Sequence, residues 1–306
     1  MNIKNKLFGL VLITFIIISV MLYFFNDTSH AFGIEDANDK TLARYNRDIE
    51  KNPDDAEAYY NRGTVWVNKG EYNKAIADFS KAITLKPNFF YAYYNRGCML
   101  ADQGNQDKAI DDYSKAIALK SHYFDAYAMR GNSWAKKGEY DKAIADYSEA
   151  IQLKPNDYRI YVNRGVAWKA KGEYDKAIAD YNKALQLTPI DGRIYAQRGT
   201  VWAMKKDYDK AFADFNKALQ LTPNDDQIYF NKGLAWWKKG DSVKALSNYS
   251  KAIQLNPNNE SAYTNRGAIY LIQRNNKLGC QDAIKACELK DCKLLKTAKS
   301  MGDCLD

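Results

Sequence analysis

Across residues 56–289 the apolar positions fall three and four residues apart, lapse, and resume, which predicts pairs of amphipathic helices. Residues 158–191 show the pattern. Tyr161, Gly165 and Trp168 share one helical face, and Gly172 and Glu173 interrupt it. Asp175 then stands near the next helix start, where an acid complements the macrodipole. Ala177, Ile178, Tyr181, Ala184, Leu185 and Leu187 form a second apolar face, and Pro189 cannot continue that helix. Each unit therefore reads as two antiparallel helices joined by a short turn.

The pattern repeats every 34 residues. Gly63, Gly97, Gly131, Gly165, Gly199, Gly233 and Gly267 stand at that spacing, and all six prolines keep the same beat, with Ser121 at the missing one. A fixed period of this length predicts a stacked solenoid, because one hairpin buries too little apolar surface to fold alone. Glycine inside a helix costs about 1 kcal/mol relative to alanine, so its recurrence implies close approach of a neighbouring helix. Alanines at 75, 109, 143, 177, 211 and 245 fit the same crowded contact. Two aromatic rows are expected to fill the core: tyrosines at 59, 93, 127, 161, 195, 229 and 263, and tryptophans at 66, 134, 168, 202 and 236.

Tyr, Gly, Trp or Tyr, Ala, Tyr or Phe, Ala and Pro, in this order over 34 residues, resemble the tetratricopeptide repeat family, and seven copies match in phase. The resemblance implies an all-α fold, an α-α superhelix of right-handed sense, with the first helix of each unit on its concave wall. The copies are expected at 56–89, 90–123, 124–157, 158–191, 192–225, 226–259 and 260–289.

One row departs from the family, which often carries Leu before the glycine. Here stand Arg62, Arg96, Arg130, Arg164, Arg198, Lys232 and Arg266, while the second helices carry Asp78, Asp112, Asp146, Asp180, Asp214, Asn248 and Asp282. The unit with Lys for Arg is also the unit with Asn for Asp. This predicts pairing of Arg with Asp across each hairpin or its neighbour, since a guanidinium fork matches a carboxylate better than an ammonium does. A row of arginines binding an acidic ligand is the competing reading.

Both ends differ from the array. Residues 32–38 read as a linker and 39–55 as a half-repeat cap, with Leu42, Tyr45 and Ile49 aligned to the second-helix pattern and Arg44, Arg47 and Lys51 on the outer side. In the seventh unit Gly279, Cys280, Ala283 and Cys287 leave room for one more helix, within a cysteine-containing cap at 290–306. Four cysteines permit three pairings. Antiparallel return of the last helix favours Cys287 with Cys292 and Cys280 with Cys304; a zinc site is the alternative, though no short Cys-x-x-Cys clasp is present.

Lys4 and Lys6 precede an apolar run at 7–25, long enough to span a bilayer. Residues 1–31 read either as a retained signal anchor or as a signal peptide cleaved after Ser29-His30-Ala31. Either way the repeats are expected on the exported side of the membrane, anchored or secreted. The cysteine cluster agrees with an oxidising compartment.

A candidate ligand surface follows from the resemblance, which places Asn61, Asn95, Asn163, Asn231 and Asn265 on the concave wall, with Gln197 and Met129 as exceptions. Asparagine both donates to and accepts from a peptide backbone; the alternative is a bond to the neighbouring helix. Some family members clamp a terminal carboxylate with paired Lys and Asn, but that lysine position holds Tyr60, Tyr94, Ala128, Val162, Ala196, Phe230 and Thr264. Tyr60, Tyr94, Phe230 and Trp237 make apolar anchors on the wall, and Trp237 lies outside the tryptophan row.

Net charge of +8 with acids and bases interleaved describes a solvated surface, and no basic run marks a nucleic-acid partner. The two histidines are His30, beside the signal region, and His122; one histidine in the array cannot supply a metal site and no Ser-His-Asp or Cys-His set is identifiable, so neither an enzyme nor a cofactor is expected. The leading expectation is a membrane-tethered scaffold binding a protein or peptide; a carbohydrate or envelope polymer, or an accessory role in an envelope enzyme complex, fits the same surface.

Overall fold

The computed structural model describes residues 37–304, and all regular structure among them is helical. The candidate signal or anchor at 1–31, with its apolar run at 7–25, lies outside the described residues. Among the described residues no helix is long and apolar enough to cross a membrane.

The chain divides into two compact units, Met1–Ser133 and Trp134–Asp306. In the first, helix α1 (described over 37–51) precedes the hairpins α2 (Ala56–Asn68) with α3 (Tyr72–Leu85) and α4 (Phe90–Asp102) with α5 (Gln106–Leu119). Helix α6 (Phe124–Lys136) carries the division. The second unit continues with α7 (Tyr140–Leu153), then α8 (Tyr158–Ala170) with α9 (Tyr174–Leu187) and α10 (Gly192–Met204) with α11 (Tyr208–Leu221). It ends with α12 (Asp226–Lys239) and α13 (Ser242–Leu255), α14 (Glu260–Ile272) and α15 (Asn276–Glu288), and the short α16 (Lys293–Ser300). Within each unit a helix packs on its hairpin partner and on the next helix in the chain, the nearest-neighbour arrangement of a solenoid.

Local chemistry places the helix ends. Asp55, Asn105, Asp157, Asp191, Asp207, Asp225, Asp241, Asn259 and Asn275 accept from backbone N–H groups of the helices they precede, satisfying donors with no intrahelical partner. The turn inside each hairpin needs one left-handed residue. Glycine supplies it at 70, 104, 138, 172 and 240, whereas Lys206 (φ 65°) and Arg274 (φ 61°) adopt it despite their side chains.

The deepest rings are not those of the expected rows. Phe79, Tyr113, Tyr181, Phe215 and Tyr249 of the second helices are wholly buried, and Tyr147 nearly so. They explain the glycines. A Cβ on Gly63 would lie 2.7 Å from the Phe79 ring, on Gly165 2.9 Å from Tyr181 and on Gly233 2.8 Å from Tyr249. The first-helix tryptophans are only half-buried. Lysine ammonium groups cover them instead: Lys74 lies 4.6 Å from the Trp66 ring centre, Lys176 4.5 Å from Trp168, and Lys244 4.3 Å from Trp236.

Leu42 and Ile49 of α1 are buried, and Arg44, Arg47 and Lys51 are exposed. At the other end Leu294 of α16 approaches Gly267, where a Cβ would lie 3.1 Å from Cδ2. Cys280 bonds Cys304 and Cys287 bonds Cys292, with Cα separations of 5.6 Å and 4.0 Å. Among the described residues no cluster of ligating side chains could hold a metal.

Candidate ligand-binding surface

The arginine row is consumed inside the repeats. Arg62 donates from Nε to Asp78 Oδ2 (2.8 Å) and from Nη2 to Asp78 Oδ1 (2.7 Å), and the same two-pronged geometry joins Arg96 to Asp112, Arg164 to Asp180, Arg198 to Asp214 and Arg266 to Asp282. The carboxylates are buried and the forks hold each guanidinium above its ordinary pKa. Arg130 and Asp146 belong to different units.

Nη1 reaches the other way. Arg62 donates to Asn46, Arg96 to Ser80, Arg130 to Ser114, Arg164 to Ser148, Arg198 to Asn182 and Arg266 to Ser250. Arg62, Arg96, Arg164, Arg198 and Arg266 thus each bind the aspartate sixteen residues ahead and a small polar residue sixteen behind, tying their own hairpin to the preceding second helix. Reading the sequence missed this second row. Its signal is the Ser or Asn two places after the second-helix Asp or Asn in six of the seven units: Ser80, Ser114, Ser148, Asn182, Asn216 and Ser250. The exceptional unit lacks the fork. Lys232 donates to Asn216 Oδ1 at 2.7 Å, Asn248 turns back to the Lys244 carbonyl, and burial pushes the Lys232 ammonium below its usual pKa.

The asparagines divide. Asn95 donates to the Tyr60 hydroxyl at 3.1 Å, and Asn265 to the Ser261 carbonyl of its own helix at 2.8 Å. Asn61 and Asn231 are half-buried, with no side-chain hydrogen bond to a described residue, and Asn163 is half-buried on α8. In the first unit Tyr60 packs between Phe79 and Phe89 (ring centres 5.8 Å and 4.8 Å away), and Tyr94 lies 5.9 Å from Tyr113 and 5.0 Å from Tyr123. Both phenols are raised above their ordinary pKa by burial. In the second unit Phe230 leans on Tyr249, centres 5.8 Å apart, while Trp237 is 36 % exposed.

Beyond these, the first-helix stripe changes from repeat to repeat. At the three positions that hold Phe230, Leu234 and Trp237 on α12, helix α10 carries Ala196, Thr200 and Ala203, and α8 carries Val162, Val166 and Lys169. Spacing of four and three keeps each trio on one helical face. Composition alone did not single out Lys169, because one lysine among 45 basic residues has no periodic signal.

Family models described as "Tetratricopeptide repeat" match residues 56–89, 90–123, 158–190, 227–259 and 248–286, and one described as "TPR repeat" matches 131–172 and 203–240. Together they cover more than half of the chain, which belongs to the tetratricopeptide repeat family. Solved structures with this fold include a tetratricopeptide repeat protein from Parabacteroides merdae, 21 % identical, TM-score 0.67, covering 80 % of this chain and 96 % of that one. YrrB, described as a TPR protein with an unusual peptide-binding site, is 24 % identical, TM-score 0.51, over 60 % of this chain and 95 % of its own. MamA is 27 % identical, TM-score 0.53, over 55 % and 92 %. No curated protein matches the chain.

Proposed function

We propose that the chain is a binding scaffold that holds a peptide or protein on its first-helix surface, on the exported side of a membrane. The observation that carries this reading is the contrast between two sets of first-helix residues. The residues that keep the repeat are engaged internally: arginines in forks to aspartate, glycines against rings, tryptophans under lysines. The neighbouring stripe differs in every repeat and presents Val166 and Trp237 to solvent. Solenoids bind through such long, variable surfaces, and a well-placed exposed aromatic is the usual energetic anchor.

Export is supported by the apolar run at 7–25 behind Lys4 and Lys6 and by the paired cysteines at the C-terminal end. In this reading the run tethers the scaffold, or is removed and the repeats are released.

The test is recovery of partners from detergent-solubilised envelope with wild type and Trp237→Ala. Loss of specific proteins with the variant, at unchanged helix content, supports binding at this surface; an identical set of partners removes Trp237 from it. Intact-mass measurement of the purified chain decides whether residues 1–31 are retained.

A further inference from the structure

Lys169 is a cation without a counter-charge in a half-buried place. Its ammonium donates to the Gln197 side-chain oxygen at 3.0 Å, and no described carboxylate pairs with it. Nearby lysines on the outer turns behave differently: Lys171 pairs with Asp141, Lys205 with Asp175, and Lys239 with Asp209. Burial lowers the Lys169 pKa, with no acid acting against it. An ammonium has three donors, and the Gln197 oxygen takes one of them.

The surroundings give this charge a setting. The Lys169–Gln197 bond joins α8 to α10, and α10 packs against α12. Helix α10 therefore lies between the other two, and its stripe of Ala196, Thr200 and Ala203 is a floor of small residues. The hydroxyl of Thr200 turns back to the Ala196 carbonyl at 2.9 Å. On one side stand Val162, Val166 and Lys169, with Val166 38 % exposed; on the other stand Phe230, Leu234 and Trp237. A polypeptide backbone laid along this row of small residues would have one cationic and one aromatic contact on its two sides.

We propose that this stretch of the second unit selects a peptide bearing a carboxylate and a large apolar side chain, the carboxylate on Lys169 and the apolar group against Trp237. The assignment rests on the peptide-binding reading above and adds the chemistry of the ligand. Charge complementarity commits the occupant: a ligand carboxylate supplies the acceptor that the protein omits here and provides at the outer lysines. The carboxylate comes from an acidic side chain or from the chain terminus.

The experiment uses the full chain in detergent micelles and a random peptide display library with free carboxyl termini. It compares wild type, Lys169→Met, Lys169→Arg and Trp237→Ala, each checked for unchanged helix content. Wild type is expected to enrich peptides that combine a carboxylate with a large apolar residue. Two synthetic peptides then separate the sources: one with an internal Glu and an amidated end, the other without acids and with a free end. The preferred peptide is expected to bind about tenfold more weakly to Lys169→Met, since a charged hydrogen bond is lost. Lys169→Arg should retain binding, and Trp237→Ala should weaken both peptides alike. Enrichment of peptides without a carboxylate preference, or equal binding by Lys169→Met, overturns the assignment while leaving peptide binding intact. Enrichment of nothing by wild type overturns peptide binding itself.

Discussion

Arg198 and Asp214 meet through two parallel hydrogen bonds, Nε to Oδ2 at 2.8 Å and Nη2 to Oδ1 at 2.7 Å, with the carboxylate buried between helices α10 and α11. The third guanidinium nitrogen reaches Asn182 on the preceding second helix. One side chain therefore closes its own hairpin and attaches the hairpin to the one before it. This explains why a charged residue stands in a row where the family often carries leucine: the arginine does in hydrogen bonds what leucine does by packing.

Removing one partner strands the other. Asp214→Ala leaves the Arg198 guanidinium partly buried without its fork, and is expected to lower unfolding stability by about 3 kcal/mol. Arg198→Met combined with Asp214→Leu is expected to recover most of that loss, because an apolar pair needs no counter-charge. Urea unfolding of the two variants against wild type checks it; Asp214→Ala as stable as wild type would show that the fork contributes nothing.

The unit with Lys232 and Asn248 is an internal comparison, since its two side chains bond to other groups and not to each other. Lys232→Arg with Asn248→Asp is expected to install the fork and raise stability. The double-mutant cycle should show favourable coupling of about 1 kcal/mol or more. Additive single changes would mean that this site does not accept the geometry found in its neighbours.

Tyr181 buries its hydroxyl with no hydrogen-bond partner among the described residues, and the same row holds phenylalanine at Phe79 and Phe215. Tyr181→Phe should therefore leave stability unchanged or raise it, by about 1 kcal/mol at most. A clear loss in thermal unfolding would reveal a partner for that oxygen.

Lys206 takes the left-handed turn conformation that glycine fills at equivalent places. Lys206→Gly is expected to raise stability by about 1 kcal/mol. An unchanged or lower melting temperature would show that the unfolded-state entropy of glycine outweighs the relieved strain.

What the sequence made legible follows from what recurs. The hairpin and the crowding at Gly165 are written in the period, because the same contact is made again and again, and the joint change at Lys232 and Asn248 marked the arginine and aspartate rows as related. Depth of burial was less visible: Tyr161 and Trp168 alternate like core residues, yet the ring that fills the glycine space is Tyr181, and Trp168 lies beneath Lys176. Ser148 and Asn182 looked like ordinary polar positions, since their partners come from the following hairpin, whose offset only stacking supplies. Lys169 was invisible for the opposite reason. It occurs once, and a single lysine gains meaning only when the carboxylates around it can be counted.

Cross-linking from two positions tests the central claim most directly. A photoreactive amino acid at 237 lies on the variable stripe of α12; one at 243 replaces a valine that is 74 % exposed on the second helix α13. If the first-helix stripe is the binding surface, irradiation in cells should yield a discrete adduct from 237 and none from 243. Adducts from 243 alone, or the same adducts from both, would contradict it.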